Sequence, residues 1–186
     1  MISKELLKNK YNKLIRSNKE EFIKEADSII KTLSSANIDV YKPLLVHGSN
    51  NRDEFMYAAG VYYSLKKKRI QDYLIVTALH YIEQHFLEAN QKDMELYNRM
   101  YSTDILVVTV NDTDTRGGTY ADALLVNLIE TRELDNKITI VYAENVGLEY
   151  PVVTKYLTTK QPPLSLSSTK SSITTKRNTN NRRKIF

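Results

Sequence analysis

The stretch LLVHGSNNRDEF, residues 44–55, has the layout of a phosphate-binding loop. An apolar run closes on His47-Gly48, a polar loop follows, and a helical pattern begins at Phe55. A working loop reads G-x-x-x-x-G-K-[ST]. Its glycines let backbone N–H groups converge on phosphates, its lysine reaches the terminal phosphates, and its hydroxyl binds magnesium. Counted from Gly48, Asp53 stands where the second glycine belongs, Glu54 where the lysine belongs and Phe55 where the hydroxyl belongs. A Cβ at position 53 hinders the backbone angles that glycine permits. Glu54 turns an attraction into a repulsion: at an effective dielectric of about 20, one charge pair about 4 Å apart is worth roughly 4 kcal/mol, here with the wrong sign. Phe55 offers a metal nothing. The same residues suit a plain helix start, because carboxylates are favoured in a first turn and Asn50, Asn51 and Asp53 are ordinary N-cap types. Two readings therefore stand for this stretch: a phosphate loop whose own acids fill the anion site, and a strand–cap–helix junction with no nucleotide chemistry behind it.

Hydrolysis needs a second element, an apolar strand ending in acids that hold magnesium and activate water. DILVVTVND, residues 104–112, supplies the strand, but Thr109 and Val110 hold the acidic positions. Asp112 and Asp114 lie beyond, as turn residues. With phosphate loop and metal strand both degenerate, no catalytic residue and no cofactor are expected. His80, Glu83 and His85 do not make a metal site, since histidines five apart are poorly aligned on one helix face. The absence of cysteine excludes disulfides and thiolate zinc.

The net charge of +5 is unevenly placed. Lys160, Lys170, Lys176, Arg177, Arg182, Arg183 and Lys184 carry it in a final segment without acids, leaving the rest slightly acidic. That segment is a candidate arm for nucleic-acid phosphates, and its ending RRKIF also reads as a docking peptide. A second cluster, Lys66, Lys67, Lys68 and Arg69, complements a helix C-terminus, with a nucleic-acid backbone as the sharper reading. Tyr57, Tyr62 and Tyr63 share that helix, as packing residues first and base-stacking residues second.

These residues need elements to hold them. Apolar positions at a 3.6-residue period predict helix over 4–34. Short apolar runs at 43–48, 72–78, 104–110 and 138–143 read as buried strands, alternating with helices at 53–68, 79–101 and 120–134. Strands that are apolar throughout, alternating with helices, predict an α/β fold with a mostly parallel sheet covered on both faces. Residues 150–158 read as an added edge strand, Pro151 keeping them from a central position. The domain plan is an N-terminal helical segment over 1–40, an α/β domain over 41–159 and a disordered basic tail over 160–186. No apolar run approaches the roughly 18 residues of a membrane span, so a cytoplasmic protein is expected, of a bacterium or a phage-infected cell.

The order of YKPLLVHGSNNRDEF, DILVVTVND, YADALLVNLIETREL and KITIVYAEN resembles the ATPase domain of DnaC/DnaI-type helicase loaders, an AAA+-like P-loop fold, over roughly residues 41–146. The resemblance implies that Gly48 is a surviving phosphate-loop glycine. It implies that Arg132 lies where the family has an arginine near a helix end, and that Glu144 or Asn145 sits at the sensor position. It also implies a pseudo-ATPase that contacts a replicative helicase or its loader, with single-stranded DNA as a further partner of the tail, oligomers possible and residues 1–35 as the partner surface. The alternatives are an active loader with unorthodox motifs, and a structural or assembly subunit of a phage.

Overall fold

The computed structural model describes residues 19–48, 52–66, 70, 72–88, 90–110, 119–143 and 150–166. Along the chain run α1 (Lys19–Ser35), β1 (Leu44–Gly48), α2 (Arg52–Lys66), β2 (Tyr73–Thr77), α3 (Ala78–Phe86) and α4 (Met94–Ser102). They are followed by β3 (Ile105–Val110), α5 (Thr119–Leu134), β4 (Ile138–Ala143), α6 (Pro151–Lys160) and β5 (Leu164–Leu166). Among the described residues the strands form one five-stranded sheet in the order β2-β3-β4-β1-β5, and every pairing is parallel.

A parallel sheet is covered on both faces because each crossover lays a helix on it. Period-2 alternation divides the strand side chains between two cores. Leu44, Val46, Ile105, Val107, Ile140 and Tyr142 face α1 and α2. Leu45, Leu106, Val108, Val110 and Val141 face the layer of α3, α4, α5 and α6. Helix α2 lies between the sheet and α1, so it is buried almost all round, from Phe55 to Tyr63. Tyr57, Tyr62 and Tyr63 are therefore packing residues and present no ring to a base. Desolvation raises the Tyr63 phenol far above its usual range.

Three expectations are corrected. Residues 79–101, expected as one helix, are two. The interruption has no glycine or proline to announce it. Asp93 caps α4 by accepting from the Leu96 N–H at 2.9 Å, and the Gln84 side chain accepts from the Asp93 N–H at 2.9 Å. Residues 150–158, expected as an edge strand, are helix α6. Pro151 sits in its first turn, where a missing N–H costs nothing. The edge strand is instead Leu164–Leu166, so the fold continues past residue 159; residues 167–186 lie outside the described residues.

Two side chains hold these late elements. Both carboxylate oxygens of buried Asp122, on α5, accept from the first turn of α6: Val152 N–H at 2.7 Å and Val153 N–H at 2.8 Å. It caps a helix from across the layer, where Tyr150 makes no side-chain cap. The Gln161 side chain clasps the approach to β1. Its Oε1 accepts from the Asp39 N–H at 3.2 Å, and its Nε2 donates to the carbonyls of Lys42 at 3.0 Å and Pro43 at 3.1 Å.

The opposite end of the second layer is tied by Arg132, which is wholly buried. Its Nε donates to Thr139 Oγ1 at 2.9 Å. Nη1 donates to the carbonyls of Met100 at 2.8 Å and Tyr101 at 3.0 Å, and Nη2 to those of Thr103 at 3.0 Å and Ile138 at 2.8 Å. All five N–H groups of a guanidinium thus have acceptors. Three of the acceptors are carbonyls at the C-terminal end of α4, which a cation complements. Desolvation pulls Arg132 down to about 10, against the pull of Asp104 and Asp135, and it stays charged at neutral pH.

Arg132→Met is expected to destabilise the protein by about 3 kcal/mol or more, because it strands buried carbonyls. Arg132→Lys, with three donors, is expected to lose only part of that. Urea unfolding of the two variants beside the parent checks both; an unchanged midpoint in Arg132→Met would remove the guanidinium from any structural role.

Candidate functional site at the carboxyl edge of the sheet

Because all strands run the same way, Gly48, Thr77, Val110, Ala143 and Leu166 end along one edge. The helix leaving β1 covers one face, and those leaving β3 and β4 cover the other. Outgoing connections therefore diverge at the crevice beside β1, where open α/β sheets take their ligands. The sequence-predicted loop residue Gly48 lies in this crevice, flanked by β4 and β5.

Beside Gly48 the core carries an aromatic pair. Phe55, in the first turn of α2, is fully buried. It stacks on Tyr142 of β4, with ring centroids 5.0 Å apart and planes at 27°. The Tyr142 hydroxyl donates to the Gly48 carbonyl at 3.0 Å. The position that holds a metal-binding hydroxyl in a working loop is thus a core anchor, held against the strand that precedes the sensor position. Such a stacked pair is worth about 1 kcal/mol beyond the area it buries. Asp53 is exposed and Glu54 half-buried in the same turn, where the helix dipole favours their charge. Nothing in the sequence singles out Tyr142 except a phenol ending an otherwise aliphatic run.

Thr109 and Val110 stand at the end of β3, and both are buried. The Thr109 hydroxyl donates to the Val76 carbonyl at 3.3 Å, and Val110 packs in the second core. Neither can hold a cation through a carboxylate. The residues at these positions do not fit a magnesium nucleotide: one oxygen is spent on a neighbouring strand, one position is aliphatic, and the loop position is an aromatic anchor.

The remaining expected site residues are dispersed. Arg132 lies at the amino ends of the strands, beside Thr139 and Ile138. Six residues of β4 separate it from the crevice, about 17 Å at the rise of a parallel strand. It stands in the last turn of α5. The side chain is wholly buried and its donors are committed to acceptors inside the protein. Lys66 is exposed at the last turn of α2, with its ammonium 5.7 Å from the Tyr62 ring centre. Lys67, Lys68, Arg69, Glu144, Asn145, Lys176, Arg177, Arg182, Arg183 and Lys184 lie outside the described residues. Among the described residues no three His, Cys, Asp or Glu side chains gather in a way that could hold a metal ion, and no helix is long and apolar enough to cross a membrane.

One buried polar group at this edge was not foreseen. His47, beside Gly48, is 9% exposed, and its Nδ1 has no hydrogen-bond partner among the described residues. It sits between Ala143 and Ser165 in the sheet. Burial lowers its pKa from 6.5. The folded chain therefore binds that proton less readily than the unfolded chain does. Stability from neutral His47 is complete above the unfolded value and is lost as pH falls below it, toward the lowered folded value.

Two measurements follow. Urea midpoints are expected to fall between about pH 7.5 and about pH 5.5, and the fall is expected to shrink in His47→Phe; an equal slope in both proteins would clear the imidazole of the effect. Tyr142→Phe is expected to cost about 1–2 kcal/mol by the same assay, because the stack remains while the buried Gly48 carbonyl loses its donor.

No family model matches this chain, and no curated protein matches it. Solved structures do. Domain III of the Thermotoga maritima replication initiation protein DnaA superposes with a TM-score of 0.52 at 13% identity, covering 74% of this chain and 59% of that one. A replication initiator DnaA bound to AMPPCP and single-stranded DNA gives 0.50 at 16% identity, covering 75% of this chain and 44% of that one. A DnaC helicase loader gives 0.45 at 18% identity over 72% and 76% of the two chains, too low a score to carry weight. The chain spans only about half the length of the initiator structures. What the likeness shows is the fold alone, a parallel sheet with helices on both faces.

Proposed function

We propose that this chain is a non-catalytic relative of the replication ATPases, kept as a scaffold for contacts with a replicative helicase or its loader, its basic tail an arm for single-stranded DNA. The observation that carries the reading is the aromatic pair at the end of β1: Phe55 stacked on Tyr142, and Tyr142 bonded to Gly48. A working phosphate loop keeps that space open for oxygen atoms and a metal. Here a buried phenyl ring stands at the hydroxyl position and a phenol donates to Gly48, with two carboxylates in the same helix turn. The likeness to DnaA structures supports a place in replication.

The outward side of α1 suits a partner. Phe22, Ala26, Ile29 and Leu33 are spent on the core. Glu21, Lys24, Asp27 and Lys31 remain exposed, a mixed-charge surface that selects by electrostatic pattern.

Calorimetric titration of the full chain with ATP and magnesium is expected to give no saturable binding up to about 1 mM nucleotide, a ceiling of roughly 4 kcal/mol. Saturable micromolar binding that disappears in Gly48→Ala would replace this reading with that of an active, unorthodox loader. Pull-downs with full-length protein and with a chain ending at Leu166 are expected to retain helicase or loader in both cases and single-stranded DNA only with the tail. Recovery of none of the three would favour a structural role in a phage particle.

A further inference from the structure

Phe86 and Tyr120 are each 61% exposed, yet their rings touch, with centroids 5.7 Å apart and planes at 45°. Phe86 ends α3 and Tyr120 begins α5, so the pair is a tertiary contact that remains open to solvent. His85 adjoins Phe86, ring centres 5.9 Å apart, and its Nδ1 is turned to the Tyr97 hydroxyl at 3.3 Å. The segment from Ala78 to Glu95 carries Glu83, Glu88, Asp93 and Glu95 against a single cation, Lys92. That cation already lies over the Tyr97 ring, 4.4 Å from its centre. Glu83 is one helical turn before Phe86, on the same side of α3, and Glu83 and Glu88 are both exposed. The result is an open aromatic pair with Glu83 beside it, on a segment whose acids outnumber its cations. Such a surface repels phosphate and attracts a guanidinium or ammonium, which gains from both the carboxylates and the ring faces.

We infer that this patch is the seat of the chain's own basic terminal segment, Lys176 to Phe186, docked within the same molecule. Three observations select that occupant. The segment holds Lys176, Arg177, Arg182, Arg183 and Lys184 with no acid, and closes on Ile185-Phe186, so it offers cations beside apolar groups. The last described strand, β5, ends at Leu166 opposite Gly48, so the chain leaves the fold along the same edge at which α5 begins. The reach also fits. From β5 to β3 is three strand spacings, about 14 Å along the sheet, well inside the roughly 50 Å that sixteen residues can cover at full extension. Tethering at that distance gives an effective concentration near the millimolar range, so a weak contact is well populated within one molecule. The acids Asp53 and Glu54 lie nearer the exit of β5 but offer no aromatic seat, because Phe55 beside them is fully buried. The docking does not depend on the nucleotide reading above; it would hold the nucleic-acid arm in store, so that DNA competes with the patch for the same cations.

Zero-length carbodiimide coupling of the full-length protein tests this, using an equal mixture of chains with natural and heavy nitrogen. The expected products join Glu83 or Glu88 to Lys176 or Lys184 within chains of one isotope. Their yield is expected to fall about fivefold or more in Phe86→Ala/Tyr120→Ala, which keeps every coupling group and changes only exposed rings. It is also expected to fall as salt rises from about 50 mM to about 500 mM. Mixed-isotope products would assign the tail to a second copy and overturn docking within the molecule. Coupling mainly to Asp53 or Glu54, a yield indifferent to the loss of the two rings, or no coupling at Glu83 and Glu88 would each overturn the patch as its seat.

Discussion

The hydroxyl of Tyr142 reaches across from one strand to the last carbonyl of its neighbour, and the reading of this molecule turns on that bond. It is possible because β4 lies beside β1 in the sheet, with Tyr142 one residue from the carboxyl edge. The phenol is there satisfied at one end and stacked along its ring by Phe55. A buried polar atom without a partner is costly, whereas a satisfied one is nearly neutral, so the arrangement is self-consistent without any ligand. A phosphate loop works by leaving backbone donors open toward a guest. At this edge the contacts of Tyr142 are internal ones, to Gly48 and to Phe55.

The two ends of the sheet divide the chemistry. At the amino ends, Arg132 binds α4, α5 and β4 together, and the ion pairs Arg99–Asp72 at 2.9 Å and Lys137–Asp104 at 3.0 Å lie around it. Those pairs are part-exposed, so each contributes little to stability; the guanidinium, fully enclosed, matters more. At the carboxyl ends the described polar groups include Tyr142, His47 and Thr109, with the carboxylates of Asp53 and Glu54 in the first turn of α2. Among the described residues the amino ends are thus the more heavily braced of the two.

Much of this fold was legible in the residues. The four longer strands stand out as continuous apolar runs because a sheet covered on both faces leaves no polar side to alternate with. Their helices follow from period and charge. What the residues did not display was set by long-range contacts. The interruption before Met94 depends on Gln84 and Asp93 finding one another. Pro151 reads equally as an edge marker or a helix start, and Asp122 from another helix decides it. Strand β5 is three residues long and borders a polar tail whose composition masks it. At the site, the three replaced loop positions were readable by counting from Gly48. Tyr142 was not, because its role depends on strand order. The bracing role of Arg132 was hidden for a related reason: its acceptors, from Met100 to Thr103 and at Ile138 and Thr139, gather only once α4, α5 and β4 have packed.

The clasp made by Gln161 carries a consequence for how the molecule comes into being. Strand β1 is synthesised early, but its two neighbours, β4 and β5, arrive near the end of the described chain. A ribosome-bound intermediate therefore displays an apolar ribbon with both hydrogen-bonding borders bare through most of translation, a state prone to sticking to other chains. Closure of the final border waits on a three-residue strand and one amide side chain, which makes that short stretch the latch on maturation rather than an ornament at the rim.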